Sequence, residues 1–465
     1  MVLNVVIMAA GKGTRMRSAR PKVLHKLAGR HLLQHVLDAA AGLGASRTIV
    51  VTGHGAAEVE QATSAPGLAF VRQEPQLGTG HAVLQAAPLL DDAGTTLILN
   101  GDVPLIEAET LVALIAASGG DKLALLTVTL QQPAGYGRVV RGGGGARGDG
   151  MIVSIVEQKD ATLEQRRIAE IYAGIMAAPT HALKRWLAAL RSDNAAGEYY
   201  LTDVVGLAVA ESMPVVGVAA ASETEVLGVN SPAQLAALER RFQQRAASLL
   251  MEQGVRLADP ARFDVRGELH CDGDVEIDVD CIFEGKVELG EGVRVGAFCI
   301  VRNAKIAAGA TIRPYSHVDG EALGATVGAG AVVGPFARLR GGAELAADVH
   351  VGNFVEIKNS TLGRGAKANH LAYIGDSSVG ERVNFGAGSI TANYDGANKH
   401  RTTIGADAHI GSNSVLVAPV EVGAGATVGA GSTLSRDAPA GQLTIARSRQ
   451  ASFPEWKRPT KKKDR

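Results

Sequence analysis

The stretch Val327-Gly-Ala-Gly-Ala-Val-Val333-Gly-Pro-Phe-Ala-Arg-Leu339-Arg-Gly-Gly-Ala-Glu-Leu345-Ala-Ala-Asp-Val-His-Val351-Gly-Asn-Phe-Val-Glu-Ile357 places an aliphatic residue at every sixth position. The beat returns at Ile404, Ile410, Leu416, Val422, Val428 and Leu434. A period of six matches neither the 3.6-residue repeat of an α-helix nor the alternation of a hairpin sheet, and when sustained it marks a parallel β-helix. Each aliphatic side chain points into a narrow prism. The small residue after it lets the chain turn a corner, so every coil buries its apolar face only against the next coil. The 57 glycines and the 4% aromatic content suit a prism too narrow for large rings.

At 465 residues the chain exceeds one ordinary core, and 46% hydrophobic with 20% charged residues is a globular mixture, so two domains are expected. A formal net charge of zero gives no electrostatic reason to expect nucleic acid or an anionic membrane surface as a partner. The basic run Lys461, Lys462, Lys463 is local. Met1 to Ala10 is apolar but too short to span a bilayer and has no basic segment before it, so it reads as a buried first strand, and no membrane insertion is expected. Cys271, Cys281 and Cys299 form none of the close pairs of zinc or redox motifs, which suits a reducing cytoplasm.

From residue 1 to 228, strand-like runs (Val5 to Met8, Thr48 to Thr52, Thr96 to Leu99, Leu123 to Leu130) alternate with helical stretches such as Leu32 to Leu43. The alternation predicts a mostly parallel sheet covered by helices, an α/β nucleotide-binding type of domain. Ser231, Pro232 and Gln234 form an N-terminal capping signal, Leu235, Leu238, Phe242 and Leu249 keep one face apolar, and Gly254 stops the helix. Residues 229 to 253 are thus a helical connector, and 254 to 465 the solenoid domain, with coils from near Arg262. Gly142 to Gly145 predicts a hairpin tip.

After the first strand come Met8-Ala9-Ala10-Gly11-Lys12-Gly13-Thr14-Arg15-Met16 and Pro21-Lys22. Small residues at a strand-to-helix turn let backbone N–H groups approach phosphate, and Lys12, Arg15 and Lys22 add positive charge for a polyphosphate. A Walker loop is excluded because the Gly-Lys-Ser/Thr ending is missing, and a dinucleotide fingerprint because Met16 stands at the third glycine.

This stretch resembles the signature of the sugar-1-phosphate nucleotidyltransferases, the pyrophosphorylases. Gln73 with Leu77-Gly78-Thr79-Gly80-His81-Ala82 is similar to their uridine-reading loop, Gly101-Asp102 to their metal-binding turn, and Gly135-Tyr136-Gly137-Arg138 with Glu157 to their sugar-binding segments. Joined to a hexapeptide solenoid, nearly the whole chain resembles the bacterial bifunctional N-acetylglucosamine-1-phosphate uridyltransferase and glucosamine-1-phosphate acetyltransferase family. The resemblance implies a Rossmann-like nucleotidyltransferase domain followed by a connector helix and a left-handed parallel β-helix. It also implies a UTP and UDP-N-acetylglucosamine site at Met8, Ala9, Ala10, Gly11, Arg15, Lys22, Gln73, Gly78, Thr79, Asn100, Gly101, Asp102, Gly137, Glu157, Tyr172 and Asn230, with Asp102 and Asn230 holding Mg²⁺. Two positions depart from the family pattern. Asn100 stands where Tyr usually precedes Gly-Asp, and Tyr172 where Asn is common in Glu-Ile-Asn-Thr-Gly; in the family both positions contact the sugar, so the departures bear on the N-acetyl sugar and leave the triphosphate and metal positions intact.

In the solenoid the beat breaks between Ile357 and Val379, and from Ile390 to Ile404 the chain takes fourteen steps where twelve would keep register. An inserted loop therefore carries Asn393-Tyr394-Asp395-Gly396 and Lys399, and function concentrates where a solenoid breaks its beat. His370 and Tyr373, flanked by Arg340, Glu356 and Lys358, suggest an anionic sugar phosphate site with His370 as general base. By resemblance, Arg340, Lys358, Tyr373 and Asn384 hold glucosamine 1-phosphate, and Ala387, Asn393, Tyr394, Ser412, Ala430 and Arg447 line the acetyl-CoA site. A coil wall is open, and the family implies a homotrimer through the β-helix with sites between subunits; the basic tail from Trp456 would close the cofactor site. The implied pathway is UDP-N-acetylglucosamine synthesis for peptidoglycan and lipopolysaccharide. Two rival readings are a pyrophosphorylase with a passive solenoid, which has no use for the His370 cluster, and a non-catalytic pyrophosphorylase-like subunit, which has no use for Gly11, Arg15, Lys22 and Asp102.

Overall fold

A computed structural model of the chain describes residues 2–143 and 150–461. The predicted Gly142–Gly145 tip lies outside the described residues from position 144, as do Lys462 and Lys463. The chain divides into two compact units, Met1–Gln244 and Arg245–Arg465, so the division falls inside the helix Pro232–Glu252.

The first unit is built on a sheet in the order Val215–Ala219, Leu123–Thr129, Glu170–Pro179, Thr95–Asn100, Leu3–Ala9, Arg47–Thr52, Leu68–Arg72. All neighbours are parallel except Glu170–Pro179, which runs antiparallel to both of its flanking strands. The central strand Leu3–Ala9 is apolar almost throughout, as a strand covered on both faces must be; Val5, Val6 and Ile7 are fully buried. Two clusters form the core, one on each side: Val5 and Ile7 pack with Leu33, Val36 and Leu111, and Val6 packs with Val83, Leu183 and Trp186. The strands end together at Ala9, Thr52 and Asn100, and ligands bind open α/β sheets at that carboxyl edge.

At the connector helix, the Gln234 N–H donates to Ser231 Oγ (3.3 Å), as a capping serine requires. The Gln234 side chain reaches past Ser231 and accepts from the Asn230 N–H (2.9 Å). Gly254, at φ 94°, closes the far end, where the Val255 N–H donates to Leu250 O (3.0 Å).

In the second unit the twelve hexad positions from Val327 to Ile357 and Ile404 to Leu434 are at most 3% exposed, and parallel pairing stacks each coil on the last. The first coil strand, Arg256–Leu257, pairs with Glu276–Ile277, so coils begin before Arg262. Two corrections concern the interrupted beat. Ile390 faces outward and Thr391 inward, because Thr391 Oγ1 accepts from the Gly375 N–H (2.8 Å) inside the prism. The insertion is also longer than a count from Ile390 gives: Ser378 pairs with Thr361, 17 residues back, and with Thr403, 25 residues on.

Because each coil is held by its neighbours, Leu339→Ala opens a void that the stacked rungs cannot close. It lowers the stability of the solenoid by about 3 kcal/mol, read by calorimetry as a fall in the transition of that unit.

Candidate active sites

In the first unit, two adjoining cavities of about 490 and 210 Å³ share Met8, Thr79, Asn100 and Asp102 as a common wall. Ala9, Ala10, Gly11, Lys22, Gln73 and Gly78 line the larger lobe; Gly137, Glu157, Tyr172 and Asn230 line the smaller. Arg15 is exposed and lines neither. Gly101 is buried behind the wall, its N–H donating to Met8 O (2.9 Å). Lys12 joins the larger lobe; Tyr136, from the segment similar to the family's sugar-binding one, joins the smaller with Gly174 and with Thr202, which the sequence did not single out.

The first strand does not lead into the expected helix. Thr14–Met16 is a single 3₁₀ turn, and the first α-helix begins at Leu32, so loop amides and lysines line this side without a helix dipole behind them. Gly13, at φ 60°, lies against Lys22: a Cβ there would come 2.8 Å from Lys22 Cβ. Lys22 Nζ donates to Asp102 Oδ2 (2.5 Å) and Asn230 Oδ1 (3.2 Å). Two oxygens from segments far apart in the chain thus converge on one cation.

The glycines of the Leu77–Gly80 loop answer to close backbone packing. A Cβ on Gly78, at φ 114°, would lie 2.6 Å from Tyr199 O, and the Gly80 N–H donates to that same oxygen (2.8 Å). Gln73 is buried and its amide donates to Gly78 O (2.8 Å), pinning the loop. In the smaller lobe, Arg138 is buried and holds the Gly135–Gly137 turn by donating to Tyr136 O and Gln158 Oε1 (2.8 Å for the second). Burial pushes the Glu157 carboxyl above its usual range, opposed by a hydrogen bond from Thr202 Oγ1 (3.1 Å). Burial, with Glu157 nearby, also pushes the Tyr172 phenol well up, and its buried Oη has no hydrogen-bond partner among the described residues. Asn100 lies against Gly174, where any Cβ would collide with its amide.

In the solenoid, backbone hydrogen bonds stack Asn353, His370, Ala387, Ser412 and Ala430 in one column. The carbonyls of Asn353, His370, Ala387 and Ser412 accept from the N–H groups of Leu371, Gly388, Asn413 and Gly431, each one residue past the next member. His370, Ser412 and Ala430 line an open wall, with His370 and Ser412 exposed, and Arg447 adjoins its far end beside Gly431. The His370 Nδ1–H donates to Asn353 Oδ1 (2.7 Å).

The broken beat is a second column. Asn359 and Asp376 take left-handed corners at φ 45° and 48°, and the buried Asp376 carboxylate accepts from the Asn359 amide (2.5 Å) and the Asn393 amide. Asn393 is thereby an anchor of the inserted loop, which closes where the His400 N–H donates to Asn393 O (2.8 Å). Tyr394 projects from the loop, 61% exposed. Lys399 on this loop is held beside Lys358 and, with burial and Arg340, pushes the Lys358 ammonium below its ordinary pKa. Arg340 is held by Glu321 and Glu356 (3.2 Å each). Tyr373 lies over Gly375, where a Cβ would come 2.4 Å from its hydroxyl oxygen, and the Asn384 amide meets His409 Nδ1 (3.2 Å). With Arg340 already paired to two carboxylates, the crowded ammonium groups of Lys358 and Lys399 are the cations here that an added anion would relieve.

A model of the MobA-like NTP transferase domain matches residues 5–203, and one of the bacterial transferase hexapeptide (six repeats) matches residues 401–436. The bifunctional protein GlmU of Methylibium petroleiphilum is 68% identical over 99% of this chain and 100% of its own. Those of Albidiferax ferrireducens and an Azoarcus species are 64% and 57% identical over the same shares. Matched over nearly the whole of both chains at 57 to 68% identity, the chain belongs to the GlmU family of bifunctional proteins.

Proposed function

We propose that the chain makes UDP-N-acetylglucosamine in two steps: acetyl transfer from acetyl-CoA to glucosamine 1-phosphate in the solenoid, then uridylyl transfer from UTP in the first unit. The family carries both activities. The observation that supports the assignment to these residues is the open column through His370, a titratable base on an exposed wall, with the Lys358 and Lys399 cations gathered at the next corner of the same coils.

In the first step, Arg340, Lys358, Tyr373 and Asn384 hold the sugar phosphate, and His370 Nε2 takes the proton from the amine as it attacks the acetyl carbonyl, with the CoA thiolate leaving. Ala387, Ser412, Ala430 and Arg447 offer the surface along which acetyl-CoA lies, while Asn393 and Tyr394 set the loop beside it. In the second step, the larger lobe takes the UTP base and phosphates, the smaller lobe takes the sugar, and a sugar phosphate oxygen displaces pyrophosphate from the α-phosphorus. Asp102 and Asn230 fit Mg²⁺: their oxygens already converge on the Lys22 ammonium, and two protein oxygens with waters and substrate phosphates make a usual Mg²⁺ shell. When bound, the ion supplies charge neutralisation of the phosphates. Gly11, Lys12 and Lys22 line the path of the triphosphate, Gln73 and Gly78 shape the base pocket, and Glu157 and Tyr172 face the sugar lobe.

A homotrimer through the solenoid is supported by an apolar corner beside the column. Phe298, Tyr315, Phe336 and Phe354 stack with ring centroids 4.9 to 5.5 Å apart and, with Leu371 next in line, are 43 to 60% exposed. A second subunit against this corner would give the open wall its missing side. UTP and acetyl-CoA as substrates support a cytoplasmic enzyme.

Three outcomes test the reading. Asp102→Asn lowers UTP turnover about 10²-fold to 10³-fold and leaves thiol release from acetyl-CoA unchanged, whereas His370→Ala abolishes thiol release and spares UTP turnover; loss of both activities in either variant would sink the division of labour. Phe354→Asp shifts the sedimenting species to monomer and removes acetyl transfer before uridylyl transfer. Glu157 has a folded pKa above its unfolded one, so its contribution to stability is full below about pH 4.3 and is lost as pH rises through the folded value. Glu157→Gln accordingly raises the melting temperature at pH 8, a gain that shrinks toward pH 4.5, while uridylyl transfer falls.

A further inference from the structure

We propose that Asn353 is a positioning residue for acetyl transfer: it fixes the tautomer and orientation of His370 so that Nε2 carries the lone pair that takes the amine proton. This rests on the reading of His370 as the base. Asn353 and His370 occupy paired positions on adjacent coil strands, His350–Asn353 and Lys367–His370. In-register parallel pairing sets such residues roughly 4.8 Å apart, side by side on the same face. The Leu371 N–H donates to Asn353 O (3.0 Å), locking this register at the corner itself.

An amide oxygen has lone pairs and no proton, so the 2.7 Å contact of Asn353 Oδ1 with His370 Nδ1 requires the proton to sit on Nδ1. Nε2 is then the free acceptor. The partner is neutral, unlike the carboxylate that orients the histidine in a serine-hydrolase triad. It therefore sets the tautomer without adding a full negative charge that would hold the imidazolium and slow its turnover as a base. Among the described residues no other titratable group replaces it. His350 and Lys367 lie three positions back along the two strands, His409 three positions before Ser412 on a later coil, and Glu356 and Tyr373 three positions past the corner, with Glu356 held by Arg338 and Arg340. Three residues of strand separate each from the Nδ1 contact.

The test uses the full-length enzyme and follows thiol release with glucosamine 1-phosphate across pH. Asn353→Ala is expected to lower kcat about 10-fold to 100-fold, with KM for the sugar phosphate changed less than about 2-fold and UTP turnover unchanged. Asn353→Asp, nearly the same shape, retains more activity than Asn353→Ala but moves the acidic limb of the kcat/KM profile to higher pH, because a carboxylate stabilises the imidazolium. Wild-type kcat in Asn353→Ala, or an unmoved acidic limb in Asn353→Asp, overturns the proposal. If Asn353→Ala unfolds, the Asn353→Asp profile decides alone. His370→Ala separates the two levels: thiol release surviving it removes the base itself, whereas its loss, with Asn353 variants like wild type, removes only the positioning role.

Discussion

The hydrogen-bonded register between successive coils is the constraint on which the solenoid and its chemistry rest. Parallel pairing fixes every side chain one rung above its counterpart, so residues far apart in sequence become neighbours in a column. Asn353 meets His370 in this way, and Ala387, Ser412 and Ala430 continue the same line. Turning the corner of each coil demands left-handed backbone, which costs roughly 1–2 kcal/mol for a residue with a Cβ. Phe298, Tyr315, Phe336 and Phe354 accept it at φ 60°, 60°, 55° and 56°, and stacking of their rings offsets part of that cost. Elsewhere Asn and Asp serve, as at Asn359 and Asp376, because their short polar side chains bond locally.

Shortening a corner by one residue changes more than the length of a coil. At Lys358–Ser360 and Gly375–Ser377 the coil tightens, and Asn359, Asp376 and Asn393 come into one hydrogen-bonded stack. That stack is the root from which the inserted loop leaves. Lys399 can therefore be set beside Lys358 against their mutual repulsion. The well-paired scaffold is what keeps like charges together.

The first unit solves a related problem with strand ends. Leu3–Ala9, Arg47–Thr52 and Thr95–Asn100 finish at one edge, which brings Ala10, Gly53 and Asp102 to the same rim. Close backbone approach then decides which residues fit: Gly78 and Gly80 pack on Tyr199, and Gly174 makes way for Asn100. The Tyr172 hydroxyl, buried beside Glu157 and without a hydrogen-bond partner among the described residues, is a polar group whose desolvation the surrounding side chains leave uncompensated.

The hexad from Val327 to Ile357 pointed by itself to the β-helix, because a sustained period of six fits neither an α-helix nor an alternating hairpin strand, and the apolar runs at Val5 and Thr96 pointed to the sheet. The glycine-rich loop and the His370 cluster were likewise readable as candidate chemistry from residue type and spacing, whereas Asp102 was singled out only through the resemblance to the pyrophosphorylases. Three matters were settled only by tertiary structure. Whether Met8–Met16 leads into a helix depended on long-range packing, and a 3₁₀ turn won. The inward face at Thr391, and with it the true length of the insertion, depended on an interior hydrogen bond to Gly375 that no hydrophobic pattern encodes. The partner of His370 lies one coil away, and the convergence of Lys22, Asp102 and Asn230 spans most of the first unit. Periodicity is a local property that a linear chain displays; the meeting of side chains across coils and strands is not.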